Sequence, residues 1–175
     1  MFFVQMSGFP GSGKSTLARE IAKETGAIII DHDIVKSALL QSIEGTPIDA
    51  KSTGAIGYHI DWSLIDFLLS QGKSVIFDSP CLYDEMIEKG THLAKKHHVT
   101  YKYVECYFDN RNEINNRLKN RDRMISQIGE ITSEEAFQYT IKNSKKPLGI
   151  QCLVVNTSEP LEHYVETVLE YIHGV

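Results

Sequence analysis

The chain is predicted to be an α/β protein built on a parallel sheet, and three observations carry that prediction. Short apolar runs alternate along the whole length with stretches whose apolar residues recur every three to four positions. Two of these runs, Ala27-Ile28-Ile29-Ile30-Asp31 and Ser74-Val75-Ile76-Phe77-Asp78, are almost continuously apolar and close on a carboxylate, as strands covered on both faces do. The opening apolar run Phe2-Phe3-Val4-Gln5-Met6 leads into Gly8-Phe9-Pro10-Gly11-Ser12-Gly13-Lys14-Ser15, which spells G-x-x-x-x-G-K-[ST] between a strand and a helix.

Each element follows from its local pattern. Phe2-Phe3-Val4-Gln5-Met6 reads as the first strand. Lys14 to Glu24 places Leu17, Ala18, Ile21 and Ala22 on one helical stripe, and Gly26 follows as a C-cap. Asp33 to Ile43 repeats helical spacing with Ile34, Val35, Ala38 and Leu39 until Glu44-Gly45-Thr46-Pro47 breaks it. A further helix is expected from Ile56 to Ser70. Gln71-Gly72-Lys73 turns the chain into the strand ending at Asp78, which Ser79-Pro80 stops. Tyr83 to His97 reads as helix, Tyr101 to Phe108 as strand, Arg111 to Arg123 and Glu134 to Lys142 as helices, and Cys152 to Val155 as a last strand before a terminal helix. Trp62 falls on a helix as a packing residue, and Tyr101 and Tyr103 share one face of their strand.

The 175 residues suffice for one domain with a real core, so residues 1–175 are expected to fold as one unit. The formal net charge of −5 leaves no general footprint for nucleic acid or an anionic membrane, and no stretch approaches the ~20 apolar residues of a membrane span. Cys81, Cys106 and Cys152 are odd in number and lack C-x-x-C spacing, which points to buried reduced thiols and a cytoplasmic location. The opening Met-Phe-Phe-Val segment lacks a basic stretch and reads as the strand that launches the loop, not as a targeting segment. His92, His97 and His98 have no matching cysteine or carboxylate set, so no metal site is expected there.

The Gly8 to Ser15 loop, continued by Thr16, is a phosphate-binding loop. Its glycines allow successive N–H groups to turn inward on a phosphate, and the helix starting at Lys14 adds its positive end. Lys14 is expected to reach the β- and γ-phosphates of a nucleotide, and the Ser15 hydroxyl to hold a bridging Mg²⁺ ion. Asp78 at a strand end is expected to be the second metal-organising oxygen; the competing reading is a strand-end aspartate that serves the turn. Asp31-His32-Asp33 stands at the carboxyl edge of the second strand, beside the loop, where ligands gather in such sheets. Asp33 is expected to act on an acceptor hydroxyl, with Asp31 and His32 lining the site; the competing role for one of the two aspartates is to cap the next helix. Arg111, Arg117, Arg121 and Arg123 lie within thirteen residues, whereas Arg19 is the only other arginine. Guanidinium forks match phosphate geometry, so this stretch is expected to close over the nucleotide, with Arg117 and Arg121 on one face at i, i+4. The competing reading is a solvated helix face balanced by Glu113 and Asp122, and Ser126-Gln127-Ile128-Gly129 is consistent with a lid hinge.

On Gly8 to Ser15, Asp31-His32-Asp33 with Lys36, Val75-Ile76-Phe77-Asp78, Arg117 with Arg121 and Arg123, and Asn156-Thr157-Ser158, the chain resembles the small P-loop kinases of the nucleoside-monophosphate kinase-like group. That group includes shikimate, gluconate and adenylylsulfate kinases and related zeta-toxin and polynucleotide-kinase-like ATPases. The resemblance implies a P-loop NTPase three-layer sandwich: a five-stranded parallel sheet of order 2-3-1-4-5, helices on both faces, and a small helical lid at about 117–132. It implies Asp33 as the acceptor-activating residue. Lys36 takes the place of an arginine that grips anionic substrates, Arg123 lies in the lid, and Asn156 and Thr157 lie near the adenine.

The expected activity is ATP- and Mg²⁺-dependent transfer of the γ-phosphate to a hydroxyl of a small molecule. Lys14, Asp33, Arg117 and Arg121 would be catalytic, and Asp31, His32, Lys36 and Arg123 would contact the acceptor. The acceptor pocket is drawn from Lys36, His32 and the Gly54 to Trp62 region. Expected partners are the nucleotide and the acceptor, without membrane or nucleic acid, in a monomer or homodimer. Two alternatives stay open: an NTPase switch using Gln127 to position water, and a polynucleotide 5′-hydroxyl kinase using Lys95, Lys96, Lys145 and Lys146 as a local basic patch.

Overall fold

The computed structural model describes residues 1–45, 47 and 49–174, so Thr46 in the expected break lies outside the described residues. Five strands, β1 (Phe2–Ser7), β2 (Ile28–Asp31), β3 (Val75–Asp78), β4 (Thr100–Tyr107) and β5 (Cys152–Asn156), form one sheet in the order β2-β3-β1-β4-β5. Every neighbouring pair is parallel. The helices are α1 (Lys14–Thr25), α2 (His32–Ser42), α3 (Ala50–Ser70), α4 (Asp84–Lys96), α5 (Arg111–Asn120), α6 (Glu134–Lys142) and α7 (Val165–His173), with a 3-10 turn at Leu161–His163.

Both faces of the sheet are covered, because alternate residues of the central strands are apolar in both directions. Val4, Met6, Ile76 and Val104 pack with Leu17, Ile21, Val168 and Ile172 of α1 and α7. Phe3, Val75, Phe77 and Tyr103 pack on the other side with Trp62, Ile65 and Leu69 of α3 and Leu93 of α4. A smaller cluster of Phe108, Ile114, Leu118, Ile131 and Phe137 joins α5 and α6 to Phe9 of the loop. Trp62 is a packing residue, with its ring edge-on to Phe77 and centroids 4.9 Å apart. Tyr101 and Tyr103 both pack against the α3–α4 side.

Two boundaries differ from the sequence expectation by more than one residue. Helix α3 starts at Ala50, not Ile56, because Thr53, 0% exposed, is buried against the body and carries the helix back through Gly54. Helix α5 ends at Asn120, short of Arg123, and Arg121 has extended backbone with φ −87° and ψ 151°. Arg121 therefore does not share a helical face with Arg117. Residues 121–133 contain turns and extended backbone and no helix. Among the described residues no helix is long and apolar enough to cross a membrane. The three cysteines are free, with Cys81 and Cys106 buried and Cys152 half-buried.

Candidate active site

The carboxyl ends of β1, β2 and β3 lie side by side, and the loop after β1 opens the site. Gly8 leaves the strand at φ 129°, where a Cβ would sit 2.3 Å from the carbonyl oxygen of Cys106, so the backbone of β4 passes too close for a side chain. Gly13 caps α1 in the left-handed region, and no side chain caps the helix. The first N–H groups of α1 are thus left for a ligand. Lys14, only 8% exposed, folds back to donate from Nζ to the carbonyls of Gly8 at 2.8 Å and Phe9 at 3.1 Å. Burial lowers its pKa, opposed by the carboxylates of Asp78 and Asp33.

Asp78, 4% exposed, ends β3. Burial raises its pKa, and Lys14 and a hydrogen bond with Ser15 act against that rise. Asp31 is its register partner on β2. Burial first, and then the charge of Asp78, push the Asp31 carboxyl up to about 6. Asp31 is also the N-cap of α2, its Oδ1 accepting from the Asp33 N–H at 2.9 Å. Of the two aspartates it is thus Asp31 that caps. The Asp33 carboxylate is held from the far side of the cleft: Oδ1 accepts from Ser126 Oγ and Oδ2 from Gln127 Nε2, both at 3.0 Å.

A cleft of 1290 Å³ joins these groups. Its phosphate-loop end is walled by Pro10, Gly11, Gly13, Lys14, Ser15, Thr16 and Thr157, with Asp78, Asp33, Arg117 and Arg121 facing in. Its other end is walled by His32, Lys36, Gly54, Tyr58, Trp62, Tyr83 and Met86. Thr157 Oγ1 donates to the Ser12 carbonyl at 2.7 Å and pins the loop to the end of β5. Arg117 stacks over the Phe108 ring at 4.4 Å and stands 3.5 Å from Glu113, so it is partly balanced on its own helix. Arg121 donates through Nη2 to the Ile128 carbonyl at 2.9 Å. Its buried Nε, like the buried Ser12 hydroxyl, finds no hydrogen-bond partner among the described residues.

Some expected site residues stand elsewhere. Asp31, Arg123 and Asn156 are not among the cleft's lining residues. Asp31 is occupied in capping. The Arg123 guanidinium lies against Gly129, where a Cβ would meet Nη1 at 2.9 Å. The Asn156 side chain accepts from Ser158 N–H and Oγ at 3.1 and 2.9 Å, closing a local turn. Gly8, Phe9 and Ser12 shape the loop from behind. Sequence reasoning missed Asp61, which is buried against His32. The available signal was a carboxylate one helical turn beyond Gly57, between Ile60 and Trp62.

Comparison with known proteins agrees with this architecture. A family model described as an AAA domain matches residues 3–141. A candidate kinase from Chloroflexus aurantiacus J-10-fl superposes with TM-score 0.76 at 18% identity, over 98% of this chain and 96% of that one. A gluconokinase from Sinorhizobium meliloti 1021 gives 0.63 at 18% identity, over 98% and 91% of the two chains. Kti12 of Chaetomium thermophilum, in complex with ADP-AlF3, gives 0.67 at 13% identity, over 97% and 98%. At such identities the likeness speaks for the fold. No curated protein matches the sequence.

Proposed function

The chain belongs to the AAA domain family and has the fold of the P-loop kinases, and from that premise we propose that it is an ATP-dependent phosphotransferase acting on a hydroxyl of a small molecule. One observation carries this reading. The phosphate loop opens into a single continuous cleft whose far end has its own aromatic and polar wall. At 1290 Å³ the cleft exceeds the roughly 300–1,000 Å³ that one small ligand fills. A hydrolase needs room for a water molecule; a kinase needs a second pocket.

In this reading the loop amides, the α1 N-terminus and Lys14 hold the β- and γ-phosphates. The lysine leaves the Gly8 and Phe9 carbonyls for phosphate oxygens, exchanging neutral acceptors for charged ones. Arg121, with its unpaired Nε, and Arg117 approach from the opposite wall to meet charge that spreads over the transferring group. Asp33 orients the acceptor hydroxyl and takes its proton after Ser126 and Gln127 release the carboxylate. Thr157 holds the loop's geometry through its bond to Ser12.

Mg²⁺ fits the residues present. Asp78 and Ser15 offer two hard oxygens beside the loop, and such ions complete their shell with phosphate and water. Among the described residues no group of three or more His, Cys, Asp or Glu is arranged for a metal, so a protein-only cage is not what this chain offers. Such an ion, held by Ser15 and Asp78, would supply neutralisation of the phosphate charge.

The kinase and gluconokinase neighbours support phosphotransfer, and the ADP-AlF3 complex of Kti12 supports nucleotide binding. The polynucleotide reading loses support because three of the lysines invoked for it are already paired: Lys96 with Asp66 at 2.8 Å, Lys145 with Asp84 at 3.3 Å and Lys146 with Glu105 at 2.5 Å. The switch reading rests on Gln127, whose amide in this structure donates to Asp33 Oδ2 at 3.0 Å. A screen of hydroxyl-bearing metabolites, nucleosides and antibiotics for acceptor-stimulated ADP release tests the proposal. ADP release should be slow with ATP alone and rise with the right acceptor; full-speed hydrolysis without any acceptor refutes it.

A further inference from the structure

Asp33 is covered from across the cleft by groups that phosphoryl transfer itself does not require. Among the described residues its carboxylate makes two hydrogen bonds, Oδ1 accepting from Ser126 Oγ and Oδ2 from Gln127 Nε2, both at 3.0 Å. Both oxygens are thus occupied. Ser126 is in turn tied to α2, where Ser37, 6% exposed, donates from Oγ to Ser126 Oγ at 2.9 Å and accepts from the Ser126 N–H at 3.2 Å. The two serines fix each other one turn beyond Asp33. Gln127 is aimed by its own turn, since its N–H donates to the Met124 carbonyl at 3.0 Å and its Oε1 accepts from the Met124 N–H at 3.2 Å. With the amide oxygen engaged there, the amide nitrogen is left for Asp33.

These polar bonds hold the segment more than burial does. Ile125 is 61% exposed and Ile128 41%, and the bond from Arg121 to the Ile128 carbonyl closes the segment on itself. A segment with so little apolar burial opens readily, and the bonds it makes to an ionised carboxylate are the strongest it has. Asp33, Ser126 and Gln127 all line the cleft, so a hydroxyl that enters can replace the Gln127 amide on the carboxylate one donor for one. Water offers the same donor. It brings no further contact to offset the bonds it breaks, whereas an acceptor that fills the far end of the cleft brings many.

We infer that Gln127, beside a Ser126 anchored by Ser37, withholds the Asp33 carboxylate from water until an acceptor displaces it. Gln127 acts through Asp33 as a positioning residue and decides which hydroxyl is used, the acceptor's or water's. The inference rests on the phosphotransferase reading and supplies the regulation of that site. Without the Gln127 amide, a water molecule takes its place on Asp33: the water proton passes to the carboxylate and on to solvent, and the water oxygen bonds to the γ-phosphorus of ATP. The bond from that phosphorus to the β,γ-bridging oxygen breaks, leaving ADP and inorganic phosphate. Gln127 therefore opposes hydrolysis, the reverse of a glutamine that orients water.

The probe is Mg·ATP with no acceptor, and the readout is release of inorganic phosphate by the wild type, Gln127→Ala, Ser37→Ala and the double variant of Gln127→Ala with Asp33→Asn. Gln127→Ala should hydrolyse ATP roughly tenfold faster or more, the weight of one charge-assisted hydrogen bond, and Asp33→Asn should remove that gain. Ser37→Ala should gain about threefold or more, because it frees Ser126 without touching Asp33. A merely structural role would lower both rates. Calorimetry with Mg·AMPPNP on the same samples reports nucleotide binding separately. At retained AMPPNP affinity, an unchanged rate in Gln127→Ala or Ser37→Ala, or a gain that survives Asp33→Asn, overturns this inference alone. A lower rate in Gln127→Ala at retained affinity overturns it and counts against the phosphotransferase reading as well, since Gln127 would then be positioning water; absence of AMPPNP binding in the wild type sinks both. Should Gln127→Ala fail to fold, Ser37→Ala still decides.

Discussion

Replacing Gly8 by alanine, set beside the same change at Gly26, separates backbone conformation from crowding in the phosphate loop. Both glycines have positive φ, 129° and 71°. At Gly26 a Cβ meets nothing within 4 Å, so Gly26→Ala carries only the left-handed penalty, roughly 1–2 kcal/mol. At Gly8 the Cβ would lie 2.3 Å from the Cys106 carbonyl oxygen and 2.7 Å from Ser12 Oγ, and the first of these is strand backbone that cannot swing aside. Strain of about 1–3 kcal/mol is then joined by displacement of the loop, which loosens the bonds of Lys14 to Gly8 and Phe9, for a total of about 3 kcal/mol or more. For a chain of this size each kcal/mol lowers Tm by about 2–4 °C. Urea unfolding measures the stabilities, and calorimetry with Mg·ADP measures the site. Gly26→Ala should bind like the wild type, while Gly8→Ala should lose affinity by at least about tenfold. Equal stability losses in the two variants, or intact Mg·ADP affinity in Gly8→Ala, would refute the close approach of β4 as the reason for Gly8.

Further outcomes follow from the same geometry. Lys14→Ala should abolish Mg·ATP binding by calorimetry, whereas Asp33→Asn should keep it and stop acceptor-dependent ADP release; persistent transfer in Asp33→Asn removes that carboxylate from the reaction. Asp31 has its carboxyl raised from 3.8 to about 6, so the folded state binds its proton more tightly than the unfolded chain does. Stability from this group is therefore fully present below about 3.8 and is lost as pH rises through about 6. Asparagine is an equally good cap, so Asp31→Asn should keep α2 and remove that slope from urea midpoints measured across the window; identical slopes in the two proteins would contradict it. Trp62→Ala removes a side chain 7% exposed that packs on Phe77 and Phe3, and should cost about 3–5 kcal/mol in chemical unfolding, a loss under about 1.5 kcal/mol counting against its packing role.

The strands and the phosphate loop were legible because their signals are local. Apolar runs ending in Asp31 and Asp78, and glycines spaced to curl a backbone, state their structure within ten residues. Helix α3 was legible only from Ile56 onward, since its first turns hold Ser52, Thr53 and Gly54, which lack an apolar stripe and become helical by packing against the body. Arg117 and Arg121 looked like helical neighbours because spacing says nothing of where a helix stops. Helix α5 ends at Asn120, and Arg121 reaches the same cleft from extended backbone. Arg123 and Asn156 have the right residue types in the right region, but each is turned toward a local partner, a choice of rotamer and turn that composition does not encode.

Reading along the chain settles the order of elements, the parallel sheet and the anion-binding turn, because each depends on residues within one or two helical turns of one another. Folding alone decides which aspartate caps α2 and which faces the cleft, and that Ser126 and Gln127 hold Asp33 across a separation of 93 and 94 residues. It alone also brings Asp61 against His32, 29 residues away. Such pairings depend on how α2, α3 and the segment after α5 pack on the sheet, and a buried carboxylate finds its donor only when that packing excludes water from both.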